Sequence, residues 1–247
     1  MTDDTTTGPA IVAHQDADVR VLTLNRPARL NAFTASSYRD LAVALRDAAG
    51  DEQTGAVVLV GAGRAFCSGV DLVALATTPS SEVSAAFGEL LDALLELPQP
   101  LVAAVHGSAV GFGTTILLHC DVVLVADDAR LRLPFAELGT APEAGSSWLL
   151  AQAIGSQRAA ELLLTSRWVT GPEAVTFGLA NRATDPSTVQ AEALALGHDM
   201  AGLPRGATQA AKRLIRHGRA DGVRAAIQRE QAESGQLGAI HWDRDKR

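Results

Sequence analysis

Three short apolar runs constrain this chain more than anything else in it: AVVLV at 56–60, LVAAV at 101–105 and VVLVA at 122–126. Each is continuous, dominated by valine, and bounded by glycine, proline, histidine or aspartate. An alternating pattern would leave one face of a strand wet, whereas continuous runs of this length suit strands buried on both faces. Helically spaced segments lie between the first two and before them: SYRDLAVALRDAAG (37–50), closing at Gly50, and SEVSAAFGELLDALLELP (81–98), ended by Pro98. Buried strands with helices between them make a mixed α/β fold.

The flanking segments extend the pattern. AIVAHQDADVRVLTLN (10–25) alternates and predicts a β-hairpin, and RLRLPF (130–135) predicts a further strand. GFGTTILLHC (111–120) predicts a helix entered from a glycine-rich turn. From Ser146 onward strand signals fade. SSWLLAQAIG (146–155) and SQRAAELLLTS (156–166) predict helices with serine caps, and TGPEAVTFGLA (170–180) has capping-box spacing at Thr170 and Glu173 with a stop at Gly178. Beyond about Asp185 every segment is helical, and the charged tail HWDRDKR (241–247) is expected to fray. The predicted organisation is a core over 1–190 and a helical region over 191–247.

Composition excludes several classes. The 247 residues fit one large domain or a core with an appendage, and no apolar run reaches the roughly 18 to 20 residues that span a bilayer. The polar, acidic N-terminus is the reverse of a secretory leader, so a cytoplasmic protein is expected. A net charge of −7 argues against nucleic acid, since phosphate contacts need clustered cations. The only lysines are Lys212 and Lys246, and no P-loop occurs. Two cysteines and six histidines without metal-ligand spacing predict no metal site. Cys67 and Cys120 read as small core residues, and His106 and His119 as packing or hydrogen-bonding groups.

Two glycine-rich turns follow buried strands, GAGRAFCSGVDL (61–72) and HGSAVGFGTTILLHCD (106–121). Each alone is a weak pointer, because glycines after strands often serve only tight turning. A dinucleotide fingerprint fits poorly: Phe66 stands where its third glycine belongs. In order, however, LNRPARLNAF (24–33), the two turns with the continuation to Trp148, and TGPEAVTFGLANRA (170–183) resemble the crotonase (enoyl-CoA hydratase/isomerase) superfamily. The similarity covers about residues 11–185.

That resemblance implies a spiral of β-β-α units followed by C-terminal helices that mediate oligomerisation, as a homotrimer or dimer of trimers. It implies an acyl-CoA thioester substrate, with coenzyme A entering only as part of that substrate and no further cofactor. Carried over residue by residue, the backbone N–H groups of Val70 and Phe112 form an oxyanion hole beside Gly69 and Gly111. Arg29, Leu30, Ser68, Gly69, Asp71, Leu72 and Gly111 line the substrate and CoA path. A C-terminal family lysine sometimes reaches a CoA phosphate, a role open to Lys212, for which a solvated face is the simpler expectation.

Family hydratases use two glutamates. Thr115 occupies the position of one and Phe135 that of the other, so hydration is not expected. Glu143 instead matches the single carboxylate of one branch of Δ3,Δ2-enoyl-CoA isomerases, which also have threonine at the position of Thr115. Ala144 departs from that branch, where glycine is usual. A single carboxylate can take a proton from C2 and return it at C4, because removing the proton makes it the acid needed next. Glu143 has an ordinary alternative as a surface carboxylate preceding a helix, where the positive helix end favours it. Apolar neighbours such as Phe135 would raise its pKa and the helix would lower it, so sequence sets no direction. Glu137 reads as a solvated loop carboxylate. The resemblance implies the isomerase; the rivals are a non-catalytic acyl-CoA-binding homologue and another crotonase reaction such as thioester hydrolysis.

Overall fold

The computed structural model describes residues 8–237. The N-terminal alternation forms the antiparallel hairpin β1 (Ile11–Asp16) and β2 (Val19–Leu24). Helix α1 (Ala35–Gly50) follows, with a reciprocal cap between Thr34 and Ser37. It leads into β3 (Ala56–Gly61), every residue of which is buried. The one-turn helix α2 (Leu72–Leu75) and α3 (Ser80–Glu96) return the chain to β4 (Leu101–Val105), also buried throughout.

After β4 come the short strand β5 (Ser108–Val110), the single turn α4 (Phe112–Thr115), β6 (Val122–Ala126) and β7 (Arg130–Arg132). Helices α5 (Phe135–Leu138), α6 (Ser146–Ile154) and α7 (Ser156–Thr165) precede β8 (Val169–Thr170), α8 (Gly171–Phe177) and β9 (Arg182–Thr184). The described chain ends in α9 (Val189–Ala201), α10 (Arg205–His217) and α11 (Ala220–Leu237).

The main sheet runs β1-β2-β3-β4-β6-β9, parallel from β2 onward, and a smaller sheet runs β5-β7-β8. The continuous apolar runs are therefore the central strands of the main sheet. Helix α9 covers β2, β3 and β4, while α1 packs on α3. The core also takes in Leu41, Leu45, Leu90 and Leu94 from those helices. Each fully buried side chain of this kind contributes about 1.5–3 kcal/mol relative to exposure. Parallel strands leave all their exits at one end. The segments after β2, β3 and β4 consequently converge there.

Several expectations need correction. Residues 111–120 make one α-turn and then a 3-10 turn, Ile116–His119, rather than one helix. The strand at 130–135 stops at Arg132, and Phe135 already belongs to α5. Strands β8 and β9 lie beyond Ser146, where only helices were expected; at two and three residues they are too short to show a period. Neither α6 nor α7 has a serine cap: Gly145 and Gly155 hold those positions. The capping box at Thr170 and Glu173 and the stop at Gly178 are present. The tail at 241–247 lies outside the described residues.

Lys212 is not on a solvated face and points to no open groove. It is 6% exposed, its Nζ lies 2.6 Å from Asp121 Oδ2, and it donates to the Gln99 carbonyl. Burial lowers its ammonium to about 8, against the pull of Asp121. Arg216, one turn on, donates to the carbonyls of Leu95 and Leu97 at 3.1 and 3.0 Å. Together they fasten α10 to the end of α3, the loop before β4 and Asp121 before β6. Lys212→Ala is expected to lower the unfolding free energy by about 2–3 kcal/mol, because it strands a partly buried carboxylate. Urea denaturation with an unchanged m-value checks this.

Candidate active site

The exits of β2, β3 and β4 are stitched together by main-chain bonds. Beyond β2, the segment 26–33 forms a 3-10 turn, Pro27–Arg29, and then two left-handed residues, Leu30 and Asn31. Asn31 is 3% exposed; its Nδ2 donates to the carbonyls of Ala62 and Ala65 at 2.9 and 2.8 Å, and its Oδ1 accepts from Arg26 N–H. Asparagine tolerates the left-handed region, and here it also satisfies carbonyls that the turn after β3 leaves unpaired.

The first glycine turn lies directly on this segment. Ser68 N–H donates to Leu30 O at 2.9 Å, Ser68 Oγ to Arg29 O at 3.3 Å, and Phe33 N–H to Gly69 O at 2.7 Å. Arg29, Leu30, Ser68 and Gly69 thus lie together. Asp71 caps α2 through Ala74 N–H and pairs with Arg26 at 3.2 Å, so its carboxylate is occupied by the fold. Leu72 opens the same helix and is half-buried.

The two glycine turns touch. Val110 N–H donates to Cys67 O at 2.9 Å, and Cys67 N–H to Ser108 O at 3.1 Å. Gly69 has φ +93°, and a Cβ there would stand 2.7 Å from Val110 O and 3.7 Å from Phe112 N. A Cβ on Gly113 would stand 2.3 Å from Cys67 O, closer than any real contact. Glycine is required at both positions for the backbones to meet. Among the described residues, no acceptor meets the N–H of Val70, Phe112 or Gly113, while the Asp71, Gly111 and Thr114 amides are bonded. Two unpaired amides on contacting turns can receive one oxygen anion. Because α4 is a single turn, the donors themselves, more than a helix dipole, would carry that interaction.

Phe112 directs its ring away into an aromatic cluster. Phe33, Tyr38 and Phe87 surround it at centroid distances of 5.1, 5.2 and 5.4 Å, each edge to face. Such contacts add about 0.5–1.5 kcal/mol apiece and fix the turn that presents the amide.

Glu143 enters from the far side. Thr115, fully buried at the end of α4, donates its hydroxyl to Glu143 Oε1, and the same Oγ1 lies 3.4 Å from Phe112 O. Thr115 therefore links the carboxyl group directly to the turn that offers the Phe112 amide. Glu143 is half-buried. Burial of its carboxyl raises the pKa from 4.5 to about 8, the Thr115 bond opposes this, and the Glu230 charge adds to it. Glu143 in turn acts on the first glycine turn and on Tyr38. Burial pushes the Cys67 thiol to about 12, against the Gly69 amide and with a contribution from Glu143. Burial and Glu143 also raise the Tyr38 phenol well above its ordinary value. Glu143 is thus a half-buried carboxyl group bonded inward to Thr115 and not a freely solvated one.

Backbone geometry presents that carboxyl group. Ala144, where glycine was expected from the resemblance, still adopts the left-handed region (φ 59°). His119 Nε2 bonds its carbonyl at 2.8 Å. A carbonyl only accepts, so Nε2 carries the proton, and burial lowers the imidazole to about 4, leaving it neutral near pH 7. Phe135 is 5% exposed and packs in the core. Glu137 pairs with Arg132 on the surface, in keeping with a solvated carboxylate. Sequence reasoning missed Asn31, Tyr38 and Glu230 as site-supporting residues. Asn31 lay inside a quoted motif, whereas nothing in the local pattern marks Tyr38 or Glu230.

Among the described residues no cluster of three His, Cys, Asp or Glu side chains could hold a metal ion, and no helix is long and apolar enough to cross a membrane. The enoyl-CoA hydratase/isomerase family model matches residues 14–239. The chain is 33% identical over 201 residues to 1,2-epoxyphenylacetyl-CoA isomerase of Escherichia coli, covering 78% of this chain and 77% of that protein. It is 33% identical over 226 residues to enoyl-CoA delta isomerase 2 of Rattus norvegicus, covering 89% of this chain and 58% of the rat protein. It is also 33% identical over 221 residues to a probable enoyl-CoA hydratase of Rhodobacter capsulatus, covering 88% and 85%. Among solved structures, OdaA of Pseudomonas aeruginosa superposes with a TM-score of 0.89 at 36% identity, covering 94% and 95% of the two chains. Relatives with both names align over most of this chain, and the chain belongs to the enoyl-CoA hydratase/isomerase (crotonase) family of enzymes.

Proposed function

We propose that this enzyme is a Δ3,Δ2-enoyl-CoA isomerase. The Val70 and Phe112 amides hold the thioester oxygen of a 3-enoyl-CoA. Glu143 removes a proton from C2, and the electron pair moves through the thioester to give a dienolate. The C3–C4 double bond then takes the proton back from Glu143 at C4, leaving the double bond at C2–C3. No atom is gained or lost, and coenzyme A participates only as part of the substrate.

The observation that carries this reading is the Thr115–Glu143 bond, which sets a lone carboxyl group against the turn bearing the Phe112 amide. Threonine and phenylalanine, at positions 115 and 135, stand where the resemblance would place the two hydratase acids. Elevated proton affinity also suits the task, since one group must both accept and return a proton near neutral pH. Exposed Leu214 and Ile215 on α10, at 75% and 69%, support association of the chain into the homotrimer or dimer of trimers implied by the resemblance.

Incubation with 3-hexenoyl- and 3-dodecenoyl-CoA in deuterated water tests the proposal. The expected product is the trans-2-enoyl thioester, with the substrate's C2 hydrogen carried to C4 and solvent label entering there only as far as the protonated Glu143 exchanges before returning it. A 3-hydroxyacyl product would make the enzyme a hydratase, free coenzyme A would make it a thioesterase, and unchanged substrate without exchange would leave only binding.

A further inference from the structure

Glu230, on α11, is a buried carboxylate that the proton transfer does not itself use. It is 5% exposed, and both oxygens are engaged: Oε2 accepts from Gly145 N–H at 2.7 Å and Oε1 from Ser147 N–H at 2.8 Å. These amides follow Glu143 within four residues and open α6. Nothing local caps that helix, because Gly145 has no side chain and the buried Ser146 Oγ has no partner. A serine or aspartate at the cap would serve helix stability without bringing a charge from a distant helix into the interior.

The turn itself explains the arrangement. Ala144 and Gly145 are both left-handed, at φ 59° and 72°, so the chain reverses sharply just after Glu143. From one side His119 holds the Ala144 carbonyl; from the other Glu230 holds the next two available amides. Val223 Cγ1, on the same face of α11, stands 3.2 Å from where a Gly145 Cβ would be.

We propose that Glu230 is a positioning residue for Glu143, fixing the turn that aims the catalytic carboxyl group at the substrate carbons. The proposal rests on Glu143 being the proton carrier. The Glu230 charge also acts on that group through space. Among the described residues, the titratable side chains in electrostatic contact with Glu143 are Glu230, Tyr38 and Cys67. Arg216 and Arg219 act instead on His119.

The test compares the wild type with Glu230→Gln, which keeps the size but loses the charge and presents an NH2 group to one of the two amides. Glu230→Met is the second variant, since an apolar side chain of similar length favours a folded interior. Protein labelled with 13C at glutamate carboxyl carbons reports the Glu143 titration, its signal assigned by disappearance in Glu143→Gln. In both variants the Glu143 midpoint should fall by at least about half a pH unit. Turnover of 3-hexenoyl-CoA should fall about tenfold or more with KM within about twofold. A lower melting temperature with the midpoint and kcat both unmoved would overturn the proposal, leaving Glu230 a helix cap alone. A wild type that converts no 3-enoyl-CoA would sink the isomerase reading on which the proposal rests, whereas conversion by the wild type with kcat unmoved in both variants would overturn the proposal alone.

Discussion

Glu143→Gln is expected to lower kcat on a 3-enoyl-CoA by about 10³-fold or more, with KM changed little. Glutamine keeps the volume and can still accept from Thr115, so the recess persists while the proton carrier is gone. General acid–base groups are worth about 10²–10⁴-fold each, and here one group would serve both half-reactions. Wild-type kcat/KM should rise with pH through the Glu143 titration near 8, and the variant should lack that limb.

The same substitution should reveal a pH-dependent cost of the site. Glu143 titrates at about 8 in the folded protein against an ordinary value of 4.5. The folded state therefore binds this proton more tightly than the unfolded state. Stability from that proton is fully present below pH 4.5, declines as pH rises toward 8, and is absent above. Glutamine carries no such dependence. Wild type and variant should be comparable at pH 4, whereas at pH 9 the variant should be more stable by about 2–5 kcal/mol, the lower end reflecting partial solvent access. Thermal unfolding at both pH values measures it. A variant that loses activity and is equally destabilised at every pH would mean that Glu143 holds the fold together.

Gly113→Ala should be nearly as damaging from the opposite wall. Its Cβ would lie 2.3 Å from Cys67 O and 2.9 Å from Cys67 Cβ, both in the partner turn, so the turns must part. Overpacking of this kind costs about 1–3 kcal/mol. Displacing one anion-binding amide costs about 10²–10³-fold in kcat. Gly88→Ala, in α3 with no atom within 4 Å of the added carbon, is the control and should stabilise the helix slightly. Normal turnover in Gly113→Ala at a reduced melting temperature would show that the spacing of the two turns does not matter to the chemistry.

The three continuous apolar runs and the N-terminal hairpin were legible because burial leaves its period in the residues themselves. The two glycine turns were legible as turns, and Val70, Phe112, Thr115 and Glu143 could be singled out only because four motifs in order resemble a family. What sequence hid was tertiary. Strands β5, β8 and β9, of two or three residues, carry no period of their own and exist because a partner strand is already placed. The missing serine cap of α6 is the same lesson: its capping carboxylate comes from 85 residues away, and no local rule reaches so far. Lys212 looked like any cation on a basic helix, and only the nearness of Asp121 and the Gln99 carbonyl draws it inward. The rise in the Glu143 pKa likewise depended on how much protein closes over it, which neighbours in sequence do not reveal.

The two buried cysteines give the protein internal reporters. Cys67 lies within the first glycine turn, its Sγ 3.3 Å from Gly69 N, and Cys120 adjoins Asp121, which pairs with Lys212 of α10. Burial pushes both thiols to about 12, so an alkylating reagent finds almost no thiolate in the closed molecule. Labelling must then wait for local opening, and its rate at each sulfur would time separately how often the first glycine turn loosens and how often the C-terminal helices lift.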